Sequence, residues 1–192
     1  MIDDETQIIR LRQIAKFTKK ILHINWFSRV NQSLSDNDIE LSEKYISAVG
    51  LPNSNISNVS DWNEAAGIAE NPNWNSSWWE IEEQLKVSLI TESLKYIQED
   101  ELSHALNHVT SQTAGQSLEA VAFEKFTKDS GNIDYYQSFV NAATGMAIAS
   151  SYQAALVLSA SADQDHPFSL KFQLFENGRL PIGIIGNTFS IF

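Results

Sequence analysis

The sequence contains no cysteine, which excludes disulfide bonds, thiol catalysis and thiolate metal sites. The absence is also typical of proteins in a reducing compartment. The charged side chains among the first five residues, Met1 to Glu5, are all negative, whereas a secretory signal peptide begins with positive ones. The sequence therefore predicts a cytoplasmic protein.

Charge is missing from one long stretch, because no charged residue occurs between Tyr135 and Ala162. Polar residues such as Asn141 and Gln153 lower the mean hydropathy of this stretch, which indicates a buried central helix rather than a membrane span. Small residues recur along it at intervals of four, which predicts that neighbouring helices pack closely around it. The small residues of one such series are Ala143, Ala147, Ser151, Ala155 and Ser159.

Positive charge is scarce, with 13 basic against 24 acidic side chains and a net charge of −11. Residues 1–30 hold six basic and three acidic side chains, a charge of +3, so residues 31–192 carry −14. An acidic body repels phosphate backbones, which argues against nucleic-acid binding. The same charge would attract a basic protein partner.

Hydrophobic periodicity and capping residues predict six helices in residues 1–162. The second begins at Ser35 or Asp36, and the short third is capped by Asp61. A break near Glu99 separates the fourth from the fifth, with a single curved helix over residues 77–126 as the alternative. The predicted spans are about 5–23, 35–49, a short helix after 61, 77–97 with Ser77 as its cap, 100–126, and 132–160 with Asn132 or Asp134 as its cap.

The period changes from helix to strand after Pro167. Apolar and polar side chains alternate over residues 168–174, which predicts a first strand, and over residues 180–184 and 189–191, which predicts two more. The turns that join these strands are predicted at Glu176–Gly178 and at Gly186-Asn187. This register pairs Ile184 with Phe189, Ile182 with Ile191 and Pro181 with Phe192. The predicted fold is one mainly helical α+β domain over residues 1–192. It is a bundle of about five to six helices (1–162) with a C-terminal three-stranded antiparallel β-meander (168–192) packed on it.

The best candidate for a chemical site is the sequence from Glu101 to His108. On a helix, Glu101, His104 and His108 share one face, and two imidazoles with a carboxylate can hold Zn or another divalent transition metal. The plainer interpretation is a solvated helix face, and on that interpretation no cofactor is expected. A carboxylate from a facing helix would complete a metal site, and the candidates are Glu82, Glu83 and Glu119.

The second candidate is a cluster of four of the five tryptophans among asparagines. Aromatic faces beside amide groups suit a small ligand, whereas the alternative is that the indoles anchor a long connection to the bundle. The four residues are Trp62, Trp74, Trp78 and Trp79.

No nucleophile elbow, phosphate loop or dinucleotide fingerprint occurs, which favours a non-enzymatic role. The leading hypothesis is an interaction protein with an acidic surface, such as an inhibitor, an immunity-type antidote or an assembly factor. One alternative is a metal-binding protein or metal-dependent hydrolase. The other is a small-molecule binder whose Trp-lined pocket is also walled by the small-residue helix. The uncharged helix also leaves room for a homodimer.

Overall fold

The computed structural model describes residues 3–116, 124 and 133–192, with only the backbone of residues 133–138. Within these residues the fold is mainly helical and contains seven helices and three short strands. The helices are α1 (Asp4–Ile21), α2 (Asp36–Ala48), α3 (Trp62–Ala69), α4 (Ser76–Ser93), α5 (Glu99–Ala114), α6 (Ile133–Ala160) and α7 (Pro167–Glu176). The strands are β1 (Asn55–Asn58), β2 (Pro181–Ile185) and β3 (Thr188–Ile191).

Two of the predicted helix caps are confirmed. Ser35 caps α2 by accepting the N–H of Asp38, and Asp61 caps α3 in the same way. The predicted break is confirmed, since α4 ends at Ser93 and α5 begins at Glu99. The predicted end of the fifth helix near residue 126 is wrong, because α5 ends at Ala114 and Gly115 is its C-cap. Of the two predicted caps of the sixth helix, Asp134 lies inside α6 and Asn132 lies outside the described residues.

The small-residue helix α6 occupies the centre of the helical part, as predicted. It contacts α1, α3, α4, α5 and α7. Ala143, Ala147 and Ala155 are fully buried, so the backbones of neighbouring helices approach closely at these positions. Although α6 is the longest helix, neither it nor any other helix in the described residues has the length and apolarity that a membrane span requires.

The prediction of a strand over residues 168–174 is wrong, because this segment is helix α7. Pro167 stands in the first turn, where its missing N–H costs nothing, and the ring of His166 accepts the N–H of Phe168. Gly178 is left-handed as predicted, at φ +78°, but it ends the helix in a Schellman motif rather than turning a hairpin. The alternation of apolar residues resembles that of a strand because α7 is buried on two opposite faces. One face packs in each of the two hydrophobic clusters of the core.

The sheet is mixed rather than an antiparallel meander, and its order is β1-β3-β2. Its third strand is β1, which lies in the Asn-rich connection and runs parallel to β3. The β2–β3 hairpin is confirmed with the predicted Gly186-Asn187 loop and the pairing of Ile184 with Phe189. The remaining register is wrong by one residue, since Pro181 pairs with Ile191 and Leu180 with Phe192.

A bulge between Pro181 and Gly183 accounts for the one-residue shift in register. Residues on either side of this bulge pack in different hydrophobic clusters. Ile182 and Leu180 pack in the first cluster, which contains α1, α3, α5 and α6. Ile184 packs in the second cluster, between α2, α7 and the sheet. Gly183 adopts φ +142° at the bulge, a conformation that favours glycine.

Candidate functional site: a cleft between α4 and α6

The start of α4 is fixed by Asn75, which replaces the predicted cap Ser77. The Oδ1 atom of Asn75 accepts the N–H of Trp78 at 2.9 Å, and its Nδ2 atom donates to the carbonyl of Gly186 at 2.6 Å. These bonds tie the helix to the β2–β3 loop. Consequently Trp78 and Glu82, one turn apart, face inward, whereas Trp79 remains 59% exposed.

A cleft of about 490 Å³ lies between α4 and α6, and residues of α7 and β2 also line it. Apolar side chains and the small residues of α6 supply most of its walls. Its described lining residues are Trp78, Trp79, Glu82, Glu83 and Lys86 of α4, Thr110 of α5, Gly145, Met146, Ile148, Ala149, Ser150, Tyr152 and Gln153 of α6, Lys171 and Phe175 of α7, and Pro181, Ile182 and Gly183 of β2.

An ion pair lies at one side of this cleft. The Oε1 atom of Glu82 accepts from the hydroxyl of Tyr45 at 2.6 Å and from Nζ of Lys171 at 2.5 Å. Trp78 Nε1 in turn donates to the hydroxyl oxygen of Tyr45 at 2.6 Å. Since Glu82 is only 7% exposed, these bonds hold its charge in place and position the indole that walls the cleft.

The hydroxyl of Tyr45 stays protonated in this network. Burial raises the pKa of Tyr45 well above its usual value, and the charge of Glu82 raises it further. The hydroxyl therefore acts as a donor to Glu82 and an acceptor for Trp78 over the physiological pH range.

Among the described residues, two polar atoms of α6 residues that line the cleft have no hydrogen-bond partner. They are Oγ of Ser150, a residue that is 1% exposed, and Oε1 of Gln153. The two residues stand three apart and therefore lie on one face of the helix. The adjacent Ser151 behaves differently, because its hydroxyl donates to the carbonyl of Ala147 at 2.9 Å. Buried polar groups are nearly always paired, so two unpaired ones in the same cleft point to an external partner.

The four predicted tryptophans do not all meet in one pocket. Trp78 and Trp79 line the cleft, together with the small-residue helix. Trp74 stacks on Trp78 with ring centroids 5.9 Å apart but is not among the described lining residues. Trp62 is buried in the first cluster, edge-on to Phe192 at 4.8 Å.

The predicted metal ligands lie elsewhere, in a groove of about 590 Å³ between α1 and α5 that we call the histidine groove. Glu101, His104 and His108 all line it and are exposed. Its described lining on α1 is Leu11, Ile14, Ala15 and Thr18, none of which carries a carboxylate or an imidazole.

The facing carboxylates named from the sequence do not complete this site in the described residues. Glu82 and Glu83 line the cleft, and Glu119 lies outside the described part of the chain. No three His, Asp or Glu side chains in that part converge as a metal ion requires. Metal binding at the histidine groove stays a prediction.

Sequence reasoning missed Ser150, Gln153 and Lys171 as site residues. Gln153 carried a signal, since an amide in an uncharged, buried helix needs a partner. Lys171 cannot be placed from the sequence, because the alternation of residues 168–174 predicts a strand. Comparison of this chain with family models, curated proteins and solved structures finds no significant match to any of them.

Proposed function

We propose that this protein binds a small, planar, mostly apolar ligand in the cleft between α4 and α6. The observation that supports this function is the pair of unpartnered polar atoms, Oγ of Ser150 and Oε1 of Gln153, on one face of α6. A cleft of about 490 Å³ is within the size range of sites for drug-sized molecules.

The chemistry of the two atoms defines the polar edge of the ligand. An amide oxygen such as Oε1 of Gln153 accepts only, so the ligand must donate a hydrogen bond to it. The hydroxyl of Ser150 can donate to a neighbouring carbonyl oxygen of the same ligand. A ring that carries an N–H beside a C=O, as in a cyclic amide or a nucleobase-like heterocycle, offers this combination.

The remaining walls suit a flat apolar body. Trp78 and Trp79 present aromatic surface on one side, and Gly145 and Ala149 leave the backbone of α6 open on the other. Lys171 is paired with Glu82 and Lys86 with Glu83, so the described lining residues offer no unpaired cation, which favours a neutral ligand over an anion.

Calorimetric titration with 2-quinolone tests this proposal, with naphthalene as the apolar probe that lacks the polar edge. We expect 2-quinolone to bind and the Ser150→Ala and Gln153→Leu variants each to bind about tenfold more weakly. The matched control is Ser151→Ala, which removes a neighbouring hydroxyl outside the cleft and should leave affinity unchanged.

The same variants separate a ligand role from a structural one. Because the hydroxyl of Ser150 has no partner among the described residues, Ser150→Ala should not lower the free energy of unfolding, whereas Ser151→Ala should. Equal affinity of wild type and both cleft variants for 2-quinolone, or no binding at all, would overturn the proposal.

The acidic charge supports a second proposed function, that of an interaction protein for a basic partner. Its basis is the charge of −14 over residues 31–192. Such an inhibitor, immunity-type or assembly role predicts association that is faster at low salt, since exposed charges are screened over about 10 Å at 0.1 M salt. A captured partner that stays bound equally well at high salt would count against electrostatic recruitment.

A further inference from the structure

Strand β1 forms one edge of the sheet, with β3 on its inner side. The N–H groups of Asn55 and Val59 donate to the carbonyls of Asn187 and Ile191, each at 2.8 Å. In a parallel pair alternate residues bond to the same neighbour, so the N–H and C=O groups of Ile56 and Asn58 point away from β3. Among the described residues no backbone group pairs with them.

A groove of about 760 Å³ runs along this open edge, between β1 and α2, and we call it the edge groove. Its apolar lining includes Leu34, Ile46 and Ile39, the last of which is 38% exposed. Glu43 is the only charged residue among its described lining residues. No cation among the described residues forms an ion pair with Glu43. The neighbouring Lys44 pairs with Glu40 instead.

We propose that β1 accepts a further strand from an extended, basic segment of a protein partner. The backbone of that segment would pair with Ile56 and Asn58, and its alternate side chains would enter the edge groove. Apolar side chains would contact Ile39, and a lysine or arginine would reach Glu43. This inference rests on the second proposed function and is independent of the ligand cleft.

A second copy of this chain fits the edge less well than a basic peptide. Residues 55–58 are Asn, Ile, Ser and Asn, so a β1–β1 pairing would bring no cation to Glu43. Two chains that each carry a net charge of −11 also repel one another. The edge groove is therefore complementary in charge to a basic strand rather than to itself.

Fluorescence anisotropy with a labelled, end-capped octapeptide of alternating valine and lysine tests the inference on the full chain. The informative variant is Asn58→Pro, which removes an outward N–H while leaving the bonds of β1 to β3 intact. Its matched control is Asn58→Ala, which keeps the N–H. Circular dichroism and thermal unfolding would first establish that both variants are folded.

We expect Asn58→Pro to weaken peptide binding about tenfold relative to Asn58→Ala. Glu43→Gln should weaken binding more than Glu40→Gln, which changes the net charge equally outside the groove. The same peptide with N-methyl groups on alternate residues keeps its charge but cannot pair, and it should not bind.

Three outcomes would overturn the edge-strand inference. If the peptide binds Asn58→Pro and Asn58→Ala equally well, the acidic surface recruits it elsewhere, so the second proposed function survives and this inference fails. If the peptide does not bind the wild type, both the second proposed function and the edge-strand inference fail. If sedimentation shows a wild-type dimer that Asn58→Pro converts to a monomer, a second copy occupies the edge.

Discussion

Arg179 and Asp38 are 141 residues apart in the chain, yet they form an ion pair in which neither side chain is exposed to solvent. Nε of Arg179 donates to Oδ2 of Asp38 at 3.1 Å, and Nη2 lies 3.0 Å from the same oxygen. The guanidinium also donates to the backbone carbonyls of Arg29, Gln32 and Ser33. One side chain therefore fastens the loop before α2 to the segment that follows α7.

Removing the guanidinium should destabilise the fold strongly. In Arg179→Met the buried carboxylate of Asp38 keeps its hydrogen bonds from Ser35 and Asn177 but loses its buried cation, and three backbone carbonyls lose a donor. We expect a loss of about 3–5 kcal/mol in the free energy of unfolding. Urea denaturation monitored by circular dichroism measures this loss. The control is Lys44→Met, which breaks an exposed ion pair with Glu40 and should leave the urea midpoint near that of the wild type.

The same carboxylate should make stability depend on acid pH. Burial would raise the pKa of Asp38, but hydrogen bonds from Ser35 and the charge of Arg179 outweigh burial and hold this pKa below its usual value. A lowered pKa in the folded state means that the stabilisation is present above the ordinary aspartate pKa and is lost as the pH falls through the folded value. We therefore expect the free energy of unfolding to decrease below about pH 4.

Denaturation at a series of pH values between about 2 and 7 measures this dependence. The Asp38→Asn variant should be less stable at neutral pH and should show a shallower decrease in acid, because it has no proton to take up at this position. A decrease as steep as that of the wild type would show that other carboxylates determine the acid response.

Gly183 should be intolerant of any side chain. A Cβ atom there would lie 2.5 Å from Cζ3 of Trp74 and 2.8 Å from Cη2 of Trp78, and φ is +142°. We expect Gly183→Ala to cost about 2 kcal/mol or more and to change the tryptophan fluorescence. Gly67→Ala is the matched control, because no atom lies within 4 Å of its Cβ and alanine favours the helix. A Gly183→Ala protein as stable as the wild type would contradict the close packing of Trp74 and Trp78 on this glycine.

The histidine groove provides a test of the metal-binding hypothesis. If Glu101, His104 and His108 bind Zn²⁺, zinc should remain on the protein after dialysis, and His108→Ala should abolish its retention. His23→Ala is the control, because His23 is an exposed histidine that does not line the groove. Elemental analysis by mass spectrometry measures the zinc, and retention by the His108→Ala protein would refute this ligand set.

Local sequence signals predict the helical part of the fold well, because caps and periodicity act within a few residues. Ser35 and Asp61 cap the helices that they were predicted to cap. The prediction of the sheet is wrong where long-range contacts decide the outcome. β1 is four residues long and is held by β3 from the other end of the chain, so no local pattern identifies it.

The candidate site could be predicted only in part. The combination of a tryptophan wall with the small-residue helix is present at Trp78, Trp79 and α6. Whether Ser150 has a hydrogen-bond partner depends on side chains from several elements, which no local pattern reveals. The role of Lys171 was hidden by the alternation of α7, whose two buried faces resemble those of a strand.

The distribution of α7 and the hairpin over both hydrophobic clusters has a consequence for cooperativity. Phe168 and Phe172 pack in the first cluster while Leu170 and Leu174 pack in the second, and the bulge divides β2 in the same way. Neither cluster can open without exposing part of the other. The parts of the chain that surround the two clusters should therefore unfold in a single thermal transition. In hydrogen exchange, the slowest-exchanging amides of both parts should give the same free energy of opening.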